Sequence, residues 1–144
     1  MDDEIRKDRL RKSNRFHNVN PNILEGIYEY VEWLESLFHN GCYIGEDSNG
    51  EEKLIETRKA IEELKGLKIE IYSNEHPPPH FHVKSPNVNA SFDIDNCKKL
   101  EGTISSKDYK LIKYWHKKSK DILIEAWNET RPTDCTVGNY EVKP

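Results

Sequence analysis

The stretch "HFHVKSPNVNASFDID", residues 80–95, constrains this chain most, because two alternating runs flank a turn that contains proline. Successive side chains of a strand point to opposite faces, so a hairpin closed over Ser85 to Val88 has a defined sidedness. Pairing Val83 with Ala90, Phe81 with Phe92 and His80 with Asp93 gathers Phe81, Val83, Ala90, Phe92 and Ile94 on one face. The other face then carries His80, His82, Ser91, Asp93 and Asp95. A slip of one residue would set histidines against phenylalanines and mix the faces, so the parity of the register is determined. A slip of two only exchanges Asp93 for Ser91 or Asp95 opposite His80. Pro86 stands at the second position of the "SPNV" turn, where its fixed φ fits.

Upstream, Leu67, Ile69 and Ile71 alternate with Lys68, Glu70 and Tyr72, which predicts a further half-buried strand. Between it and the hairpin lies "EHPPPH", with His76 on the far side of three prolines. A polyproline II path rises about 3.1 Å per residue, which sets the His76 and His80 Cα atoms roughly 12 Å apart. His80 and His82, two strand residues apart, stand about 6.6 Å from each other.

These residue types allow three outcomes. One is a metal site for a divalent ion such as zinc or manganese, with His76, His80 and His82 as ligands, or two histidines and Asp93 or Asp95. It would require the proline spacer to bend or to include a cis bond, and no CxxC or HExxH accompanies it. The second is an acid–base site, with His80 and His82 catalytic and Asp93 as orienting carboxylate. The third is a solvated sheet face in which the His–Pro motif is structural.

The rest of the chain reads as helix and loop. Residues 1–20 mix acids and bases with few apolar anchors, which predicts a loose arm or a short helix. "NPNILEGIYEYVEWLESLF" predicts a helix with Asn20 as N-cap, Pro21 at the first position, and Ile23, Ile27, Val31, Leu34 and Phe38 on one face. "GCYIGEDSNG" reads as a loop, and residues 51–65 as a second helix stopped by Gly66. Ser105 and Asp108 have capping-box spacing ahead of Tyr109, Leu111, Ile112 and Trp115. Ser119 either caps a further helix bearing Trp127 or lies within one long helix. Lys107, Lys110, Lys113 and Lys117 fall on one helical face, able to track a phosphate backbone or meet an acidic partner, or simply to be solvated.

The expected fold is therefore α+β: N-terminal helices, a small antiparallel sheet of three strands or more, and one or two C-terminal helices. The expected segments are residues 1–66 (arm and helices), 67–131 (His–Pro motif unit) and 132–144 (irregular tail). With 35% hydrophobic and 33% charged residues, helices with one apolar stripe and a sheet with one buried face suit the composition. The net charge of -4 argues against coating nucleic acid non-specifically. Cys42, Cys97 and Cys135 are odd in number and form no CxxC, as expected of reduced thiols. No apolar run approaches the length of a membrane span and no signal-peptide pattern opens the chain, so a soluble cytoplasmic protein without a membrane partner is expected.

The segment "IEIYSNEHPPPHFHVKSPNVNASFDIDNCKKLEGTISSKDYKLIKYWHKKSKDILIEAWNE" resembles the bacterial domain of unknown function 4160 family. The likeness rests on Glu75, His76, Pro78, Pro79, His80, Phe81 and His82. It continues through Phe92, Asp93, Ile94, Leu100, Glu101, Gly102, Trp115 and Trp127. That family's pattern also has a histidine near Ser119 and an asparagine before the second tryptophan, where this chain has Ala126. The resemblance implies a small bacterial protein of toxin–antitoxin or defence type, with a small protein encoded alongside as partner. The concrete enzymatic version is metal-assisted or His-based cleavage of RNA, with the lysine stripe holding phosphate. The alternative is a non-catalytic protein-interaction or nucleic-acid-binding module.

Overall fold

The computed structural model of the chain describes residues 2–55, 67–71, 78–86 and 88–129. The first helix, α1 (Asp3–Lys12), has Asp2 as its cap, whose carboxylate accepts from the Glu4 amide at 2.8 Å. Acidic residues in its first turn and basic ones in its last complement the helix dipole. It has almost no apolar stripe and docks by charge instead. Lys7 is buried and bonds Glu4 at 2.7 Å and Glu29 at 2.9 Å, while Arg11 bonds Glu32 at 2.7 Å and Glu29 at 3.1 Å. Hydrogen bonds donated to Glu4 and Glu29 hold the Lys7 ammonium above its usual range. Of the loose arm or short helix expected here, the helix is what forms, and it is pinned to its neighbour.

That neighbour, α2 (Gly26–His39), starts later than the capping signal suggested. Asn20 does cap, accepting from the Asn22 amide at 3.0 Å, but what it caps is only a 3-10 turn at Pro21–Ile23. Gly26, the first residue of α2, has φ +74° and separates the helix from the 3-10 turn before it.

Two expectations fail next. The stretch read as a loop contains β1 (Tyr43–Glu46), and the stretch read as a second helix opens with β2 (Glu52–Ile55). The two pair antiparallel from Tyr43↔Ile55 to Glu46↔Glu52. Asp47 closes the turn, its carboxylate accepting from the Asn49 and Glu51 amides at 2.8 and 3.0 Å. Local turn chemistry and cross-strand pairing override the helical propensity of the glutamates and lysine here. Residues 56–66 of that expected helix lie outside the described residues.

The main sheet has four antiparallel strands in sequence order: β3 (Lys68–Glu70), β4 (His80–Ser85), β5 (Val88–Asp93) and β6 (Lys99–Thr103). The β4–β5 register is the expected one, with His80↔Asp93, Phe81↔Phe92 and Val83↔Ala90. On β6, Glu101 faces Ser91 and Lys99 faces Phe92, so Leu100 is an extra residue forming a β-bulge.

A single continuous helix, α3 (Ser106–Glu129), closes the described chain. Ser105 Oγ accepts from the Asp108 amide at 3.1 Å, as the capping spacing predicts. Ser119 is buried in mid-helix and caps nothing. Leu111, Ile112, Trp115, Leu123 and Trp127 are buried with Phe81, Val83, Phe92 and Ile94 in one apolar core. The Phe81 ring centroid is 5.5 Å from that of Phe92 and 6.0 Å from that of Trp115. The Trp115 indole N–H donates to the Tyr30 carbonyl at 2.7 Å and ties α3 to α2. The core runs from Phe16 to Trp127, so residues before and after 66 share it. Cys42 and Cys97 are buried thiols outside any disulfide, and burial pushes the Cys97 thiol up to about 12. Among the described residues no helix is long and apolar enough to cross a membrane.

Candidate functional site on the outer sheet face

Because Phe81, Val83, Ala90 and Phe92 turn into the core, their strand neighbours turn out, and the registers arrange them in rows. One row is His80–Asp93. The next runs across all four strands as Glu70–His82–Ser91–Glu101. A third is Lys68–Lys84–Asn89–Thr103. Directly opposite residues in antiparallel strands hold their Cβ atoms about 4.5–5.5 Å apart, so neighbours in a row are within side-chain reach.

The hairpin expected from the alternation therefore brings His80, His82 and Asp93 to one face. The two imidazole centroids are 5.2 Å apart in an edge-on arrangement, and both residues are half-buried. His80 also contacts the Trp127 ring at 5.5 Å. Its orienting contact is the Pro78 carbonyl, 2.7 Å from Nδ1. A carbonyl only accepts, so Nδ1 carries the proton and Nε2 of the neutral ring holds the lone pair. Asp93 has a different employment: its Oδ1 accepts from the Asp95 amide at 2.7 Å and shapes the turn after β5. The sequence reading missed the Pro78 contact, although a proline carbonyl two residues before a histidine was there to be weighed.

His76 and Pro77 lie outside the described residues, so their part in a metal site is not placed. Among the described residues no group of three or more His, Cys, Asp or Glu is arranged to hold a metal ion.

The lysine stripe does not join the histidines. It lies on the side of α3 turned away from the buried Leu111, Ile112 and Trp115, and so from the sheet. Lys117 pairs with Glu52 of β2 at 2.8 Å, Lys107 stands 5.5 Å over the Tyr43 ring, and Lys113 4.2 Å over the Tyr109 ring. Lys110 is exposed on the same side. Lys68 and Lys84 stand on the histidine face, the latter 3.4 Å from Glu70. The sequence reading did not single them out, though strand parity places both with His82.

Behind the face, His116 of α3 is buried. Its Nε2 is 2.5 Å from the Ile94 carbonyl, and its ring stacks on Phe81 at 6.2 Å. Burial holds its pKa below the usual histidine value. The Ile94 bond opposes the shift, Lys120 adds to it, and Asp93 and Asp95 oppose it.

Neither the curated proteins nor the solved structures include a match to this chain. Residues 66–128, a segment that carries β3 to β6 and nearly all of α3, match the model of the family described as Domain of unknown function (DUF4160).

Proposed function

We propose that the outer face of the sheet binds single-stranded RNA and cleaves it by His–His acid–base chemistry, within a cytoplasmic toxin–antitoxin or defence pair. The observation that carries this reading is the pair of imidazoles 5.2 Å apart, with the His80 Nδ1 proton committed to Pro78. Nε2 of His80 takes the proton of a ribose 2′-hydroxyl, and the 2′-oxygen attacks the adjacent phosphorus. The bond from phosphorus to the 5′-oxygen breaks, and His82 gives that oxygen a proton. The products are a 2′,3′-cyclic phosphate and a 5′-hydroxyl, and no co-reactant is needed. Lys68 and Lys84, one row away, supply positive charge for the phosphate.

The test is cleavage of a labelled oligoribonucleotide by protein purified without a His-tag. His80→Ala and His82→Ala should each lose about 100-fold or more, a single 2′-deoxy substitution should block its own site, and EDTA should have no effect. An EDTA-sensitive reaction would replace this chemistry with the metal-assisted version. Absence of cleavage, with tight binding of the small protein encoded alongside, would establish the non-catalytic docking reading. That second reading has its own support: Asp93 and the Pro78 carbonyl both make contacts that shape the motif.

A further inference from the structure

A groove of about 600 Å³ runs along β3, and every residue from 67 to 71 lines it. Successive strand side chains point to opposite faces, so a groove that both sets line follows the strand's edge, not one of its faces. β3 ends the sheet order and, among the described residues, pairs with β4 alone. Facing that edge, Ile27, Tyr28 and Val31 of α2 form an apolar wall. Ile27, Val31, Ile69 and Ile71 are half-buried against the core. Tyr28, 88% exposed, is the most exposed large hydrophobic side chain among the described residues. A strand edge beside apolar side chains is a template for one more extended segment.

We infer that residues 138–143 of this same chain lie along β3 as an added strand, with Tyr140 and Val142 against the apolar wall. Residues 130–144 lie outside the described residues, but the place from which they depart is known. Glu129, where α3 ends, itself lines the groove, so the rest of the chain leaves from its rim. Pro132 disfavours helix at Arg131 and turns the chain toward extended backbone. The fifteen residues from Thr130 to Pro144 reach about 50 Å when extended, against about 17 Å for residues 67–71.

The pattern of the segment also matches the edge. Leu67, Ile69 and Ile71 alternate with Lys68 and Glu70, as Tyr140 and Val142 alternate with Glu141 and Lys143. Setting Tyr140 and Val142 beside Leu67 and Ile69 sends Glu141 and Lys143 to the face of Lys68 and Glu70. In a parallel run Glu141 meets Lys68 and Lys143 meets Glu70, two pairs of opposite charge. An antiparallel run that keeps Glu141 at Lys68 sets Asn139 against Glu70. A slip of one residue would drive Glu141 and Lys143 against the apolar wall, so the parity is fixed. Tethering holds the segment at an effective concentration of about millimolar, which a second copy or a separate partner would have to exceed.

The test is amide hydrogen exchange by NMR, comparing the full chain with a chain ending at Arg131. In the full chain the β3 amides that point away from β4 should exchange about tenfold or more slowly than in the shortened one. A synthetic peptide of residues 132–144 should restore that protection to the shortened chain. The full chain carrying Tyr140→Ser and Val142→Ser, checked for folding by circular dichroism, should lose it too, so the result does not hang on truncation. Lys68→Glu should weaken the protection, and Glu141→Lys in the same chain should restore it. Equal protection with and without residues 132–144 would overturn the assignment, because another part of the chain would then cover β3. Protection that grows with concentration, with a doubled mass by light scattering, would make a second copy the occupant and overturn it. Fast exchange of these amides in the full chain would overturn it as well, even where a separate protein partner then slowed them.

Discussion

Replacing Gly102 by alanine should destabilise the protein by about 2–4 kcal/mol. Gly102 sits at φ +94°, opposite Ala90 across the β5–β6 ladder. An added Cβ would overlap the Asn89 carbonyl oxygen and lie 2.6 Å from Ala90 Cα and 3.0 Å from Ala90 Cβ. The obstacle is the backbone of an inner strand, which cannot step aside as the end of a flexible side chain would. Forcing an L-residue to positive φ costs about 1–2 kcal/mol. Crowding a packed contact adds about 1–3 kcal/mol. The lower chain entropy of unfolded alanine returns about 0.4–1 kcal/mol.

Against a total stability of about 5–15 kcal/mol the net loss is large. At this chain length it corresponds to a fall in Tm of roughly 6–16 °C. Urea unfolding followed by tryptophan fluorescence reads it directly, with an unchanged slope required for the two midpoints to be compared. Thr103→Ala, at an exposed position on the same strand, serves as control and should stay within about 0.5 kcal/mol. The reasoning is refuted if Gly102→Ala unfolds within about 0.5 kcal/mol of the parent chain, or if the Thr103 control loses as much.

His116 is held below its usual pKa, so the folded state resists its protonation. Stability from this group is fully present above about pH 6.5 and is lost as pH falls through the folded value. His116→Leu should flatten the urea midpoint between pH 7 and pH 5 relative to the parent chain, and an unchanged slope would refute the assignment. Trp115→Phe removes the bond to the Tyr30 carbonyl and part of a fully buried ring. It should cost about 2–4 kcal/mol in the same assay, and a loss under 1 kcal/mol would mean that α2 and α3 are joined by other contacts.

The sheet face was legible because its signal has period two and its alternatives are expensive. Any odd slip around Phe81 and Phe92 buries imidazoles and exposes phenylalanines, so sequence alone set which side His80 and His82 take. The helix capped by Ser105 was legible for a similar reason, since its cap and its apolar stripe agree. The N-terminal region was not. Packing of α1 depends on Lys7 and Arg11 meeting Glu29 and Glu32 from another helix, and a pairing 18–22 residues distant leaves no periodicity to read. β1 and β2 are four residues each, too short for alternation to outweigh glycines on one side and glutamates on the other. The row Glu70–His82–Ser91–Glu101 was half legible: β4 and β5 fixed its middle, but β6 enters through a bulge that shifts the register by one residue.

The proline motif makes physical sense once the His80 contact is known. Pro78 precedes Pro79, and a residue before proline is confined to extended backbone, which limits where the Pro78 carbonyl can point. It points at His80 Nδ1, so the stiff segment fixes both the tautomer and the tilt of the ring. Pro79 is anchored in turn, its carbonyl accepting from the Ile94 amide at 2.9 Å. The carbonyl of the same residue, Ile94, accepts from His116 of the buried helix. The ring on the outer face is therefore aimed by a relay from the core: α3 holds Ile94, Ile94 holds Pro79, and the Pro78 carbonyl holds His80. Swapping His80 for another residue touches only the last link, whereas a change at Pro79 or His116 would tilt the imidazole while leaving it in place. The prolines are part of the site's geometry even though they carry no reactive atom.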